Sequence, residues 1–339
     1  MSGFHRFHYV CLPFFVVFLL IPCAQAQVTG KRVLAYEEYV PDMQFTVKLI
    51  IEGISDDVTV IEKVPPGWII HQVYQRGVID QEAGTITWKF ANASGSSTLR
   101  YSIFSPEEAT GDAIFSGTMN TNEITGLSRM PAAAPKPVGI FENHVNIGEF
   151  PPGEAIYDKQ TGVYTIKGGG SGTFNTGGQY AYLKINGDFS LSATINQEII
   201  TDITPGAGAG LSFIDSLSSN ALFFTGWMYA HGRSTDVVWR EVIGSDFDYD
   251  GHSIPEFSRI KRIRIVRSGD LFSMFYFDPA ETRWVYFLSR EIHFTDPVYA
   301  ALVVHAFANK DLFITAQFSD VQFSHLPDMS SMKNWELFK

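Results

Sequence analysis

The stretch IRIVRSGDLFSMFYFDPAETRWVYF, residues 263–287, is followed after a polar break by YAALVVHAFANKDLFITAQFSDVQF, residues 299–323. β-Branched and aromatic runs alternate here with Ser-Gly-Asp, Asp-Pro and Asn-Lys-Asp turns, the punctuation of consecutive antiparallel strands. Both faces of Leu271 to Phe277 are apolar, as are both faces of Ala300 to Phe307. That places these strands inside two stacked sheets with one wall partly covered. No segment sustains a 3.6-residue period, and 28 Phe, 14 Tyr and 29 Gly among 339 residues suit sheets joined by tight turns. The expected fold class is all-β, and the length is that of two β-sandwich domains.

The N-terminus has its own logic. His5, Arg6 and His8 precede an apolar run from Tyr9 to Ile21, and Ala24-Gln25-Ala26 has the small-x-small form of a cleavage site. Residues 1–26 therefore read as a signal peptide, and the mature chain as secreted, extracellular or periplasmic. Both cysteines, Cys11 and Cys23, fall in that leader, so the mature chain would fold without disulfides and has no thiol nucleophile. This pattern suits a bacterial export product. No other run is long enough to span a bilayer. The formal charge of −11 disfavours nucleic acid and anionic lipid as partners. Glycans, cations and extracellular proteins remain.

Residues 31–126 read as the first sandwich. The run from Phe45 alternates, with Phe45, Val47, Leu49 and Ile51 on one face, and Gly84, Gly95 and Gly111 mark breaks between further strands. Pro65-Pro66-Gly67-Trp68, then Ile86-Thr87-Trp88, then Leu99, Tyr101, Pro106 and Gly111 resemble the immunoglobulin-like or fibronectin-like repeats of bacterial surface proteins. Trp68 and Trp88 fit core packing better than ligand platforms. Residues 127–138, spaced by prolines, read as an extended linker. The second domain is assigned to residues 139–326, and residues 327–339 form a tail without a sorting motif.

The glycine-rich stretch between Gly168 and Gly178 has no helix pattern after it, so it reads as a loop between strands and not as a phosphate cradle. Further on, Gly187-Asp188-Phe189, Ala209-Gly210-Leu211, the run Arg264 to Asp270, Tyr276, Asp278, Trp284 and the closing Thr315 to Val321 follow one another in order. Together they resemble the concanavalin-A-like, laminin-G-like β-sandwich family labelled "regulation of enolase". The resemblance implies a jelly-roll sandwich of the kind found as an accessory part of secreted bacterial proteins. Ile214 stands where that pattern has arginine, and Asp278-Pro279-Ala280-Glu281-Thr282-Arg283 replaces its Asp-Gly turn.

Three chemistries compete for this chain. Asp246, Asp248 and Asp250 alternate before Gly251, as oxygen ligands do in a calcium loop, but Phe257 occupies the twelfth position, and a solvated acidic hairpin tip is the alternative. A glycosidase needs two carboxylates flanking the bond, and no Glu-x-Asp-x-Glu strand occurs. The seven histidines beyond the leader lack zinc spacing, and His305, among Val303, Val304 and Phe307, reads as a core residue. Aromatic platforms that stack on sugar rings are the third option: Trp227, Tyr229, Trp239 and Trp284, with Arg233 as polar company, although packing is the commoner role of each such aromatic. The expected function is that of a secreted, non-catalytic binding module recognising carbohydrate through its second domain, with calcium as a candidate cofactor. A structural or adhesive surface protein without a small ligand is the alternative, and a glycoside hydrolase is the third.

Overall fold

The computed structural model describes residues 28–54, 56–91, 94–148, 152–170, 177–197, 206–230, 234–251, 261–307 and 312–326. The expected signal peptide and C-terminal tail lie outside them. Every regular element among the described residues is a strand.

The first domain contributes β1 (Thr29–Leu34), β2 (Gln44–Ile54), β3 (Val58–Lys63), β4 (Ile69–Val73), β5 (Val78–Asp80) and β6 (Thr85–Phe90). It continues with β7 (Gly95–Phe104), β8 (Asp112–Ile114), β9 (Ser116–Met119), β10 (Asn122–Glu123), β11 (Thr125–Gly126) and β12 (Arg129–Pro131). Two five-stranded sheets, ordered β11-β1-β2-β7-β4 and β10-β9-β3-β6-β5, face each other. Alternation along β2 buries Phe45, Val47, Leu49 and Ile51 between them, as the sequence pattern requires. Trp68 and Trp88 are buried, with Trp68 edge-on to Tyr39, Phe45 and Phe115 and the Trp88 Nε1–H donating to the Tyr74 carbonyl at 2.9 Å. The expected linker is extended but not free: β12 pairs with β8, and Met130 is buried because the proline-spaced chain lies along Tyr39.

A buried ion pair crosses the sandwich. Arg32 on β1 donates from Nε and Nη2 to the two oxygens of Glu62 on β3 at 2.6 and 2.8 Å, and Tyr101 donates to the same carboxylate at 2.9 Å. Burial opposes the Arg32 charge, but the Glu62 hydrogen bonds and charge outweigh it and hold the guanidinium above its ordinary value. Glu62→Ala leaves that guanidinium uncompensated and is expected to cost about 3–5 kcal/mol in urea unfolding, whereas the pairwise replacement Arg32→Met with Glu62→Leu should cost much less.

The second domain contributes β13 (Asn143–Ile147), β14 (Glu154–Asp158), β15 (Val163–Gly168), β16 (Gly178–Ile185), β17 (Phe189–Gln197), β18 (Gly208–Ile214) and β19 (Phe223–Tyr229). It ends with β20 (Thr235–Arg240), β21 (Asp248–Gly251), β22 (Arg262–Ser268), β23 (Leu271–Asp278), β24 (Arg283–Glu291), β25 (Val298–His305) and β26 (Ile314–His325). Two seven-stranded antiparallel sheets, β13-β16-β25-β18-β19-β20-β21 and β14-β15-β26-β17-β22-β23-β24, enclose the larger core. All eight residues of β25 are buried. One face points into the core; the other lies under a second apolar cluster that includes Val40 and Met43 of the first domain, which is why that strand reads as apolar on both faces.

The described ends of the glycine-rich stretch press against β25. A Cβ at Gly168 would meet the Val304 carbonyl oxygen at 2.2 Å, and one at Gly170 would meet the His305 ring at 2.1 Å. His305 is buried there, and loss of hydration pushes its imidazole down to about 4. Its folded value lies below the unfolded value of about 6.5, so the unfolded chain binds the extra proton. The stability linked to neutral His305 is therefore complete above pH 6.5 and is lost as pH falls towards 4, by an amount on the order of 3 kcal/mol. In urea titrations, the advantage of the native chain over His305→Asn should shrink across that window; a constant difference would contradict the assignment.

Candidate functional site

The two domains dock through a short stretch of the first. The Gln44 N–H donates to the Leu217 carbonyl at 3.1 Å, the Gln44 side chain meets the Ser218 hydroxyl, and the Tyr299 hydroxyl donates to Asp42. Met43 and Val40 pack against Ile214, Leu217 and Phe223. Lys184 reaches back to Glu107 at 2.7 Å.

Beside this contact lies a cavity of about 1000 Å³. Tyr36, Glu37, Glu38 and Lys48 form part of its first-domain wall, and Asn143, His144, Asn146 and Gln179 part of the opposite wall. The second wall is built by β13, the edge strand of its sheet, whose ladder bonds use only the side towards β16. Edge geometry thus leaves backbone donors and acceptors on the side away from β16.

A chain of polar contacts holds the wall in place. Gln179 pairs through Nε2 with His144 Nδ1 at 3.0 Å, and its Oε1 accepts from the Gly153 N–H at 3.1 Å. Gly153 is required there, because a Cβ would sit 1.9 Å from the Lys167 carbonyl oxygen. Asn143 Oδ1 accepts from the Lys136 N–H at 2.9 Å. The Tyr36 hydroxyl and Asn146 Nδ2 both donate to the Gly148 carbonyl, at 2.6 and 3.2 Å. Burial, then the Lys136 charge, push the His144 imidazole below its ordinary value, which keeps it neutral at pH 7. Among the described residues, the acids lining the cavity are Glu37 and Glu38, neighbours on one wall, and Glu38 is ion-paired with Lys136.

The aromatic residues singled out from the sequence go to three places. Trp227 and Tyr229 stand together on the outward face of β19: Trp227 is buried and its Nε1–H donates to the Gly206 carbonyl at 3.3 Å, while Tyr229 donates to Asp236. Trp239 points the other way, into the core, with the Arg290 guanidinium 4.2 Å from its ring centre. Trp284 is on the opposite sheet, and Arg233 lies outside the described residues. Asp246 is in the turn before β21; Asp248 and Asp250 lie on β21 and share one side of it, where Asp250 approaches Arg290 at 3.6 Å. Among the described residues, no three carboxylate, imidazole or thiol groups converge so as to hold a metal ion. Asn143, His144, Asn146 and Gln179 were not singled out. Asn143 and His144 are consecutive on β13 and point to opposite faces, so no alternation marks them out, and only the fold brings them to one cavity with Asn146 and Gln179.

No protein-family model matches this chain, and no curated protein matches it. Solved structures similar to it include a functionally unknown protein from Saccharomyces cerevisiae, at 8% identity and TM-score 0.40, spanning 55% of this chain and 96% of that one. Another is arcelin-5, a lectin-like defence protein from Phaseolus vulgaris, at 8% identity and TM-score 0.36 over 56% of this chain and 95% of that one. A third is the xylan β-1,4-xylosidase of Bacillus halodurans C-125, at 8% identity and TM-score 0.38 over 87% of this chain and 64% of that one. Likenesses of this size carry no information about activity.

The cleft depends on the docking contact, so breaking the contact should open it. Leu217→Asp buries an unpaired carboxylate at a cost of several kcal/mol. The expected outcome is a larger radius of gyration in small-angle X-ray scattering with both sandwiches still folded by circular dichroism. An unchanged radius with retained fold would count against this contact as the clamp.

Proposed function

We propose that this is a secreted, non-catalytic protein that binds carbohydrate in the cleft between its two sandwiches. The observation that carries the reading is the composition of the cleft wall: amides, one neutral imidazole and a β-edge, arranged along a cavity of about 1000 Å³. Neutral hydroxyl-rich ligands are recognised by such donors and acceptors in partly apolar concave sites, and domain junctions are where these sites commonly form. The volume suits an oligosaccharide better than a single sugar. Hydrolysis is disfavoured because a glycosidase sets its two carboxylates on either side of the scissile bond. Here Glu37 and Glu38 share one wall and Lys136 neutralises one of them. The immunoglobulin-like and concanavalin-like assignments of the two domains belong to the same proposal, as does export through residues 1–26.

A glycan array probed with the whole mature chain, with calcium and again with chelator, tests it. Binding should persist in chelator, since among the described residues no cluster of acids lines the cleft. Gln179→Ala and His144→Ala should each weaken a selected glycan by about tenfold, the worth of one or two hydrogen bonds, with the melting temperature as the check on fold. Binding that ignores both substitutions, or silence across the array, would remove the cleft reading and leave the adhesive alternative.

A further inference from the structure

The outer face of the other seven-stranded sheet carries a second feature, independent of the cleft. Register places Ser192, Arg264, Phe275 and Tyr286 in one row across β17, β22, β23 and β24, while Thr194 pairs with Arg262 and Phe277 with Trp284 in the next. The alternate residues Ala193, Ile263, Ile265 and Met274 are buried in the core, so these rows face outward. Arg264 lies 4.1 Å from the Trp284 ring centre and Arg262 lies 5.4 Å from it. Both arginines are half-buried, and Tyr286 beside them is 58% exposed.

Two guanidinium groups on one indole is an unusual arrangement in a chain of net charge −11. Among the described residues neither meets a carboxylate, and the buried Arg262 Nε has no hydrogen-bond acceptor. Stacking on Trp284 orients the guanidinium planes and lowers the cost of holding them still, and such forks match a carboxylate in bidentate fashion. Burial, then the neighbouring Arg262 charge, push Arg264 below its ordinary value.

The rows also indicate what carries the anion. From the arginines they run on to Thr194 on β17, whose hydroxyl donates to the exposed Asp320 at 3.0 Å, and then to Ser319 and Gln322 on β26, while Ser192 is buried. A dense polyanion would find no continuation of positive charge there and would be repelled by the chain as a whole. A polymer rich in hydroxyls with an intermittent carboxylate fits both halves of the surface. We propose that this face binds an acidic polysaccharide of uronate type, its carboxylate held by Arg262 and Arg264, its ring stacked on Tyr286 and Trp284, and its hydroxyls met by Gln322.

Calorimetric titration of the whole mature chain with polygalacturonate, its fully methyl-esterified form and polyglutamate tests this. Saturable binding of polygalacturonate is expected, at least about tenfold tighter than to the ester, with no saturable binding of polyglutamate. Arg264→Gln and Arg262→Gln should each weaken it by about tenfold or more, and Trp284→Ala should abolish it. If Trp284→Ala loses the cooperative melt of the native chain, Trp284→Phe and the arginine variants decide. Equal affinity for the ester, equal affinity for polyglutamate, binding indifferent to both arginine variants, or no binding at all would each overturn the proposal.

Discussion

One backbone hydrogen bond, from the Gln44 N–H to the Leu217 carbonyl, marks the contact on which the arrangement of this molecule depends. It lies at the start of β2, so the strand that forms the middle of one sandwich is also tied to the loop beyond β18 of the other. Met43 and Val40 fill the apolar end of that contact, and Tyr299 and Lys184 meet Asp42 and Glu107 at its rim. Apolar burial supplies the attraction, and the directional bonds set the angle. A cleft with two walls from different domains exists only because that angle is held.

The same contact explains a surplus of buried aromatic residues. The outward face of the sheet containing β25 carries Tyr180, Tyr182, Trp227 and Tyr299, all buried, which on a free sandwich would be a large exposed patch. Among them, the Tyr299 hydroxyl donates to Asp42 and the Trp227 indole N–H to the Gly206 carbonyl. In the first domain the corresponding internal constraint is electrostatic. Arg32, Glu62 and Tyr101 join opposed sheets through a fully buried network that tolerates no missing member.

Much of this was legible from residue patterns. Alternation along the run from Phe45 placed the right side of β2 in the core, and the doubly apolar run from Ala300 signalled a strand covered on both sides. The candidate site was less so. Trp227, Trp239 and Trp284 look alike in sequence as aromatics near polar residues. Strand parity sends the first outward under a covered face and the second into the core, while the third belongs to the other sheet. Asp246 lies in a turn and Asp248 and Asp250 on an edge strand, because pairing with β20 extends the backbone there, and Asp250 lies 3.6 Å from Arg290.

Local chemistry, the period of apolar residues and the turn residues between them determined that this chain forms strands, that the strands make two sandwiches, and which faces are apolar. These are properties of neighbours along the chain. Which polar residues share a wall, which arginines reach one indole and which aromatic faces are covered were decided only by the tertiary structure. Gln179 and Tyr36 are separated by more than a hundred residues, and Arg264 meets Trp284 across an intervening strand, so their proximity follows from sheet register and domain docking, neither of which is written in any local pattern.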